Sequence, residues 1–194
     1  MKTQIFIALK ILLVMTILTG LVYPLVMTGL AQLTFPSKAN GSLIVKDGKI
    51  IGSALIGQKF DSTIYFWSRP SAIDYNPIPS GASNYGPTSA KLKQQVDDCR
   101  HKFVVKNDIK DTLSIPKEMI FASGSGLDPD ISPEAAMMQL KRVAKARKFS
   151  ESQKLKTLLL IKNMTKGPQF SIFGEPRINI FELNLALDKI VPGN

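Results

Sequence analysis

Cysteine, histidine and tryptophan each occur once in this chain, as Cys99, His101 and Trp67. One thiol closes no internal disulfide, so cysteine usage does not report a redox compartment. One cysteine and one histidine cannot supply a zinc-ligand set at any recognised spacing. A lipid-modified anchor is excluded as well, because no cysteine lies just after the apolar N-terminal segment. Acid is scarce: 15 Asp and Glu face 25 Lys and Arg, for a formal charge of +10. That excess suits an anionic surface such as lipid headgroups, an acidic protein or nucleic acid, and it also serves plain solubility. No internal repeat is visible.

What the chain does have is one long apolar run. Ile11 to Leu33 reads ILLVMTILTGLVYPLVMTGLAQL without a charged side chain. As a helix it would reach about 34 Å, against about 30 Å for a bilayer's hydrocarbon core. We therefore expect a transmembrane anchor over 1–34 and one soluble domain over 35–194. A signal peptide is the competing reading, and Gly29-Leu30-Ala31 offers a small-x-small cleavage site. The run is longer than a signal peptide's apolar region and continues through Tyr23-Pro24, which favours a retained helix. Lys38, Lys46 and Lys49 follow the helix and argue for a cytoplasmic domain, but long domains translocate largely regardless of their charge. Lys2 and Lys10 therefore lead us to expect a cytoplasmic N-terminus and a domain outside. Thr16, Gly20, Tyr23, Met27 and Ala31 recur at helical spacing. Thr16-x-x-x-Gly20 is a small-xxx-small pair that permits close helix packing, and Pro24 predicts a kink.

The remainder predicts an α+β domain, with strands first and helices later. Asp47-Gly48 between β-branched runs signals a hairpin over Asn40–Ile56. Tyr65-Phe66-Trp67 suggests a strand, Ser71–Ser89 a long loop, and Ala90–Lys102 a helix facing inward through Leu92, Val96 and Cys99. Ser132-Pro133-Glu134 opens a helix that buries Ala136, Leu140, Val143 and Ala144. Ser150-x-x-Gln153 predicts a capping box before a helix buried through Leu155, Leu158 and Leu159. Phe170–Phe173 suggests a further strand, and Asn179-x-x-Glu182 caps a last helix burying Leu183 and Leu187.

Chemistry-bearing motifs are few. Ser123-Gly124-Ser125-Gly126 could offer backbone N–H groups to an anion, but lacks the Gly-Lys-Ser/Thr ending of a phosphate loop. A structural or docking loop is the alternative. Asp128 and Asp130 suggest a carboxylate pair, yet no further oxygen ligand follows at a calcium-loop interval, so loop hydrogen bonding is the simpler role. Ser125, His101 and Asp128 would make a hydrolase triad on paper, but no nucleophile-elbow pentapeptide supports it. Lys141, Arg142, Lys145, Arg147, Lys148, Lys154 and Lys156 form a basic run. It reads either as a solvated helix face or as a surface for anionic lipid or an acidic partner, the latter making the chain a stand-alone membrane-tethered binding module for acidic lipid or polymer.

Several segments, taken in order, resemble one family. They are Leu21–Val26, Ala39–Leu43, Leu55–Gln58, Phe66–Ala72, Ser83–Thr88, Ala122–Pro129 and Gly174–Asn179. The family is the C subunit of the bacterial Kdp high-affinity potassium-transporting ATPase, and the likeness runs from the apolar segment to Leu187. Ala82 departs from the pattern, standing where a second glycine is expected. The resemblance implies a non-catalytic accessory subunit, single-pass in the inner membrane, that promotes ATP use by a P-type ATPase subunit. It implies three protein partners: a channel-like potassium-binding subunit, the P-type ATPase subunit and a small single-helix subunit. Membrane lipid is a further contact; nucleic acid is not. ATP and potassium are then handled by the complex, with no cofactor bound directly. Thr16, Gly20, Tyr23, Pro24, Met27 and Ala31 are the expected packing face in the membrane. Arg69, Ser83, Asn84, Tyr85, Ser123, Gly124, Ser125, Gly126 and Asp128 are the expected contact loops.

Overall fold

The computed structural model describes residues 2–190; residues 191–194, the end of the expected soluble domain, lie outside the described residues. The chain forms two compact units that divide between Ser53 and Ala54.

The first unit begins with one helical rod, Lys2–Thr34, long and apolar enough to cross a membrane and with no buried residue. It comprises α1 (Lys2–Ile17), a π turn (Leu18–Val22) and α2 (Tyr23–Thr34). The π turn is the helix's answer to Pro24. Proline has no N–H for the Gly20 carbonyl, and its ring crowds that carbonyl. Widening the preceding turn relieves both, with the Tyr23 N–H donating five residues back to the Leu18 carbonyl. The predicted kink site is thus a π turn. It displaces the helical register by about one residue, which turns Met27 away from the line that Thr16 sets.

The rod ends at Phe35, whose N–H donates 2.8 Å to the Ala31 carbonyl. A short α3 (Pro36–Ala39) follows. Gln32 and Asn40 exchange side-chain amide hydrogen bonds of 3.1 and 3.3 Å, tying the chain back onto the last helical turn. The expected hairpin is present: β1 (Leu43–Lys46) pairs antiparallel with β2 (Lys49–Ser53). Asp47 and Gly48 both have positive φ, 51° and 74°, as a two-residue turn matched to strand twist requires.

The second unit packs α4 (Ala90–Asn107), α5 (Pro133–Ala146), α6 (Glu151–Met164) and α7 (Ile180–Leu187) around one core. Two-residue strands β3 (Asp130–Ile131) and β4 (Ile178–Asn179) pair antiparallel, with Ile131 and Ile178 in that core. The mixed helix-and-sheet class is as expected. Ser132, Ser150 and Asn179 cap their helices, and Ser150 with Gln153 completes the capping box. Ala136, Leu140, Val143, Ala144, Leu183 and Leu187 are buried as predicted.

Three expectations are corrected. Leu155 and Leu159 are 60% and 52% exposed; α6 instead buries Gln153, Thr157 and Ile161. Phe170–Phe173 is no strand but a tight turn, closed by the Phe173 N–H donating 2.9 Å to the Gln169 carbonyl, with Phe170 and Ser171 at positive φ.

The third correction explains the core. Tyr65–Trp67 forms no strand, although Phe66 and Trp67 are buried. Their backbone groups are paired with side-chain amides instead. The Phe66 N–H donates 2.9 Å to Asn184 Oδ1, and Asn184 Nδ2 donates 2.9 Å to the Phe66 carbonyl. The Trp67 N–H donates 2.7 Å to Gln139 Oε1, and Gln139 Nε2 donates 3.3 Å to the Trp67 carbonyl. Two buried amides therefore do for an irregular segment what a neighbouring strand would do.

Arg142 completes this arrangement. Its guanidinium donates to Asn107 Oδ1 (2.9 Å), the Thr63 carbonyl (2.7 Å), the Tyr65 carbonyl (3.0 Å) and Gln139 Oε1 (2.8 Å). It also lies 4.2 Å from the Trp67 ring centroid. Among the described residues no carboxylate pairs with it, and burial pushes its pKa down to about 10. At neutral pH it remains a buried charge held only by neutral acceptors and an aromatic face.

Candidate interaction site

Trp67 and Ser68, held in the core, deliver Arg69 to the surface of the second unit. There Arg69 Nη1 lies 2.6 Å from Asp128 Oδ2, with side chains 24% and 31% exposed. A pair this sheltered is screened less by salt than an open surface pair. Arg69 Nε is buried without an acceptor among the described residues. Asp128 is fixed on its other oxygen, which accepts from the Asp130 N–H at 3.0 Å. Asp130 is itself 3.2 Å from Arg177 Nε. Burial, reinforced by Asp128, raises the Asp130 pKa.

The Ser123–Gly126 loop is woven into its neighbours. The Ser123 N–H donates 3.3 Å to the Pro70 carbonyl, and the Gly81 N–H donates 3.1 Å to the Ser125 carbonyl. The Gly57 N–H donates 2.7 Å to the Leu127 carbonyl. Glycine is required at two of these crossings. A Cβ at Gly57 would sit 2.6 Å from the Asp128 carbonyl oxygen. At Gly126, with φ of +71°, it would sit 2.5 Å from Ile73 Cγ1. Four of the six backbone N–H groups from Ser123 to Asp128 donate within the domain, leaving little of the loop for an anion.

Tyr75 locks the junction from beneath, its hydroxyl donating to the Arg69 carbonyl. Burial pushes its pKa up to about 12. Two clefts flank Pro70 and Ser71 and share Cys99 as a wall. One, of about 240 Å³, is lined by Lys59, Trp67, Arg69, Tyr75 and Lys102. The other, of about 250 Å³, is lined by Ala82, Ser83, Leu92, Val96 and Ala122. Both are smaller than the roughly 300–1,000 Å³ usual for ligand pockets. Cys99 is half-buried, and burial raises its thiol pKa.

The structure brings Arg69, Ser123, Ser125, Gly126 and Asp128 into one junction and sets Ser83 in the adjoining cleft. Gly124, Asn84 and Tyr85 lie on exposed loop surface. Sequence reasoning missed Gly57, Ile73, Tyr75 and Gly81. The glycines themselves were the available signal, since a glycine can mark a place where another backbone approaches closely. The hydrolase triad is not assembled. Ser125 Oγ accepts from the Leu127 N–H, Asp128 serves Arg69, and no hydrogen bond among the described residues joins His101 to either. Nor do any three His, Cys, Asp or Glu side chains among the described residues group to hold a metal ion. The basic run is reduced too. Arg142 is internal, while Arg147 donates to the Ile64 carbonyl and Asp188.

The model of the K+-transporting ATPase c chain family, KdpC, matches residues 5–189, through both units. The chain belongs to this family. It is 46% identical to the potassium-transporting ATPase KdpC subunit of Burkholderia vietnamiensis, with 100% of each chain covered. It is similarly 46% identical to the KdpC subunit of Dechloromonas aromatica, over 98% of this chain and 99% of that one. The KdpC subunit of Rhodopseudomonas palustris is 47% identical over 93% and 94%. As a member of the KdpC family the chain is a subunit type of a potassium-transporting ATPase. Its apolar helix, long enough to cross a membrane, fits a membrane-associated transport subunit.

Proposed function

We propose that this chain is a non-catalytic accessory subunit of an ATP-driven, high-affinity potassium uptake complex. Its partners are a channel-like potassium-binding subunit, a P-type ATPase subunit and a small single-helix subunit. The family match over residues 5–189 carries the reading. In it, the rod Lys2–Thr34 crosses the inner membrane with its N-terminus in the cytoplasm, and the second unit lies outside. Lys2 and Lys10, on a flank without acid, support that orientation.

An external domain cannot touch cytoplasmic ATP. Promotion of ATP use therefore runs through conformational coupling, in which the subunit binds one state of the complex better than another. The Arg69–Asp128 junction with its two clefts is the rigid surface for that contact. The residues around the π turn are the membrane contact.

Gly20 gives the direct test. A Cβ there would meet nothing within 4 Å in this chain, so a larger residue disturbs only a neighbour. Gly20→Leu is expected to reduce co-purification of the other subunits and growth under potassium limitation, with the chain still present in the membrane. Unchanged co-purification would remove the helix-packing part of the proposal.

A further inference from the structure

The hairpin Leu43–Ser53 is a two-stranded sheet with no third strand among the described residues and no buried residue on either face. An isolated hairpin is at best marginal in water and needs a surface to pack on. Three aliphatic side chains await one. Leu43, Val45 and Ile50 are 50%, 60% and 64% exposed, and Val45 and Ile50 are cross-strand partners. Lys46 and Lys49 flank them at the turn, opposed only by Asp47.

The hairpin's place is fixed by its tether, within the same compact unit as the apolar rod. Asn40 bonds Gln32, which belongs to the rod's last turn. Two residues later the Ser42 N–H donates 2.8 Å to the Ser37 carbonyl, and Ser53 Oγ donates 2.6 Å to the Gly41 carbonyl. The sheet therefore starts within side-chain reach of the end of the rod. Where that rod crosses a membrane, this height is the headgroup layer, which is about 5–8 Å deep on each side of the hydrocarbon. Phe35 and Lys38 mark the same level. The Phe35 ring is exposed, with Lys38 Nζ 5.7 Å from its centroid, the aromatic-plus-cation pairing suited to an interface.

We propose that the hairpin is a lipid-binding element lying in the headgroup–acyl boundary. Leu43, Val45 and Ile50 face the acyl chains, and Lys46 and Lys49 reach anionic headgroups. The proposal rests on the membrane-spanning reading of the rod.

The test places an environment-sensitive fluorophore on single cysteines in the full-length Cys99→Ser chain, reconstituted alone into phosphatidylcholine vesicles with or without phosphatidylglycerol. Leu25→Cys reports the rod, Val45→Cys the apolar face and Asp47→Cys the turn. Blue-shifted emission is expected at positions 25 and 45 and water-like emission at 47, with the shift at 45 larger when phosphatidylglycerol is present. A blue shift at 25 with water-like emission at 45 would overturn the proposal and leave the anchor standing. A shift at 45 that arises only when the other complex subunits are added would overturn it in favour of a protein interface. Water-like emission at 25 would overturn the anchor reading and the proposal together. Equal shifts at 45 in both lipid mixtures would overturn the role given to the two lysines.

Discussion

Replacing Gln139 by leucine should cost more stability than its nearly unchanged volume suggests. Gln139 is fully buried, and its amide serves three groups: the Trp67 N–H, the Trp67 carbonyl and the Arg142 guanidinium. Leucine opens no sizeable cavity, so the effect isolates hydrogen bonding. Each buried backbone group left unpaired costs about 1–3 kcal/mol, and a lost bond to a charged donor costs about as much again. Set against about 1–2 kcal/mol gained from extra apolar burial, the net loss should be about 3–5 kcal/mol. That is a large part of a domain's usual margin of about 5–15 kcal/mol. The assay is urea unfolding of the full-length chain in mild detergent, followed by tryptophan emission. Trp67 is the single tryptophan, and its indole N–H donates 2.9 Å to the Ser62 carbonyl, so it reports this very segment. A loss below about 1 kcal/mol would mean that the Phe66–Trp67 backbone finds other partners, and would refute the reasoning.

Two further outcomes follow from the junction. Tyr75 has its pKa raised from 10.0 to about 12 by burial, so its protonated form is favoured by folding. Its contribution is fully present below pH 10 and lost as pH rises towards 12. Tyr75→Phe should be less stable than the parent at pH 7 and lose less across that alkaline window; parallel pH curves would remove the role given to burial. Gly57→Ala drives a methyl group against the backbone oxygen of Asp128, which cannot rotate away. It should destabilise by about 1–3 kcal/mol, whereas Gly124→Ala, with open space around it, should be near neutral in the same unfolding assay.

The parts of this fold that could be read ahead of the structure are those whose chemistry closes within a few residues. Ser132, Ser150 and Asn179 satisfy N–H groups three positions on, and Asp47-Gly48 sets its own turn, so four-residue windows contain the whole interaction. Phe66–Trp67 could not be read in that way. Aromatic composition is the same for a strand and for a buried irregular segment, and what decides between them lies 118 and 72 residues away. Arg142 was equally opaque: inside a run of lysines and arginines nothing local distinguishes the one that turns inward. At the candidate site, the family resemblance marked Arg69, the Ser123–Gly126 loop and Asp128. That they form one junction depends on Gly57 and Gly81, whose partners are remote in sequence.

The π turn ahead of Pro24 has a consequence for how many neighbours a single helix can serve. Successive residues of an α-helix are rotated by about 100°, so a register displaced by one residue turns everything beyond it through about that angle. Met27, beyond the turn, is thereby moved from about 20° to about 80° away from the direction of Thr16. A straight rod offers one seam to one companion. This one moves Met27 off the line that Thr16 sets, so a straight companion on the first half leaves that face of the second half open to another neighbour.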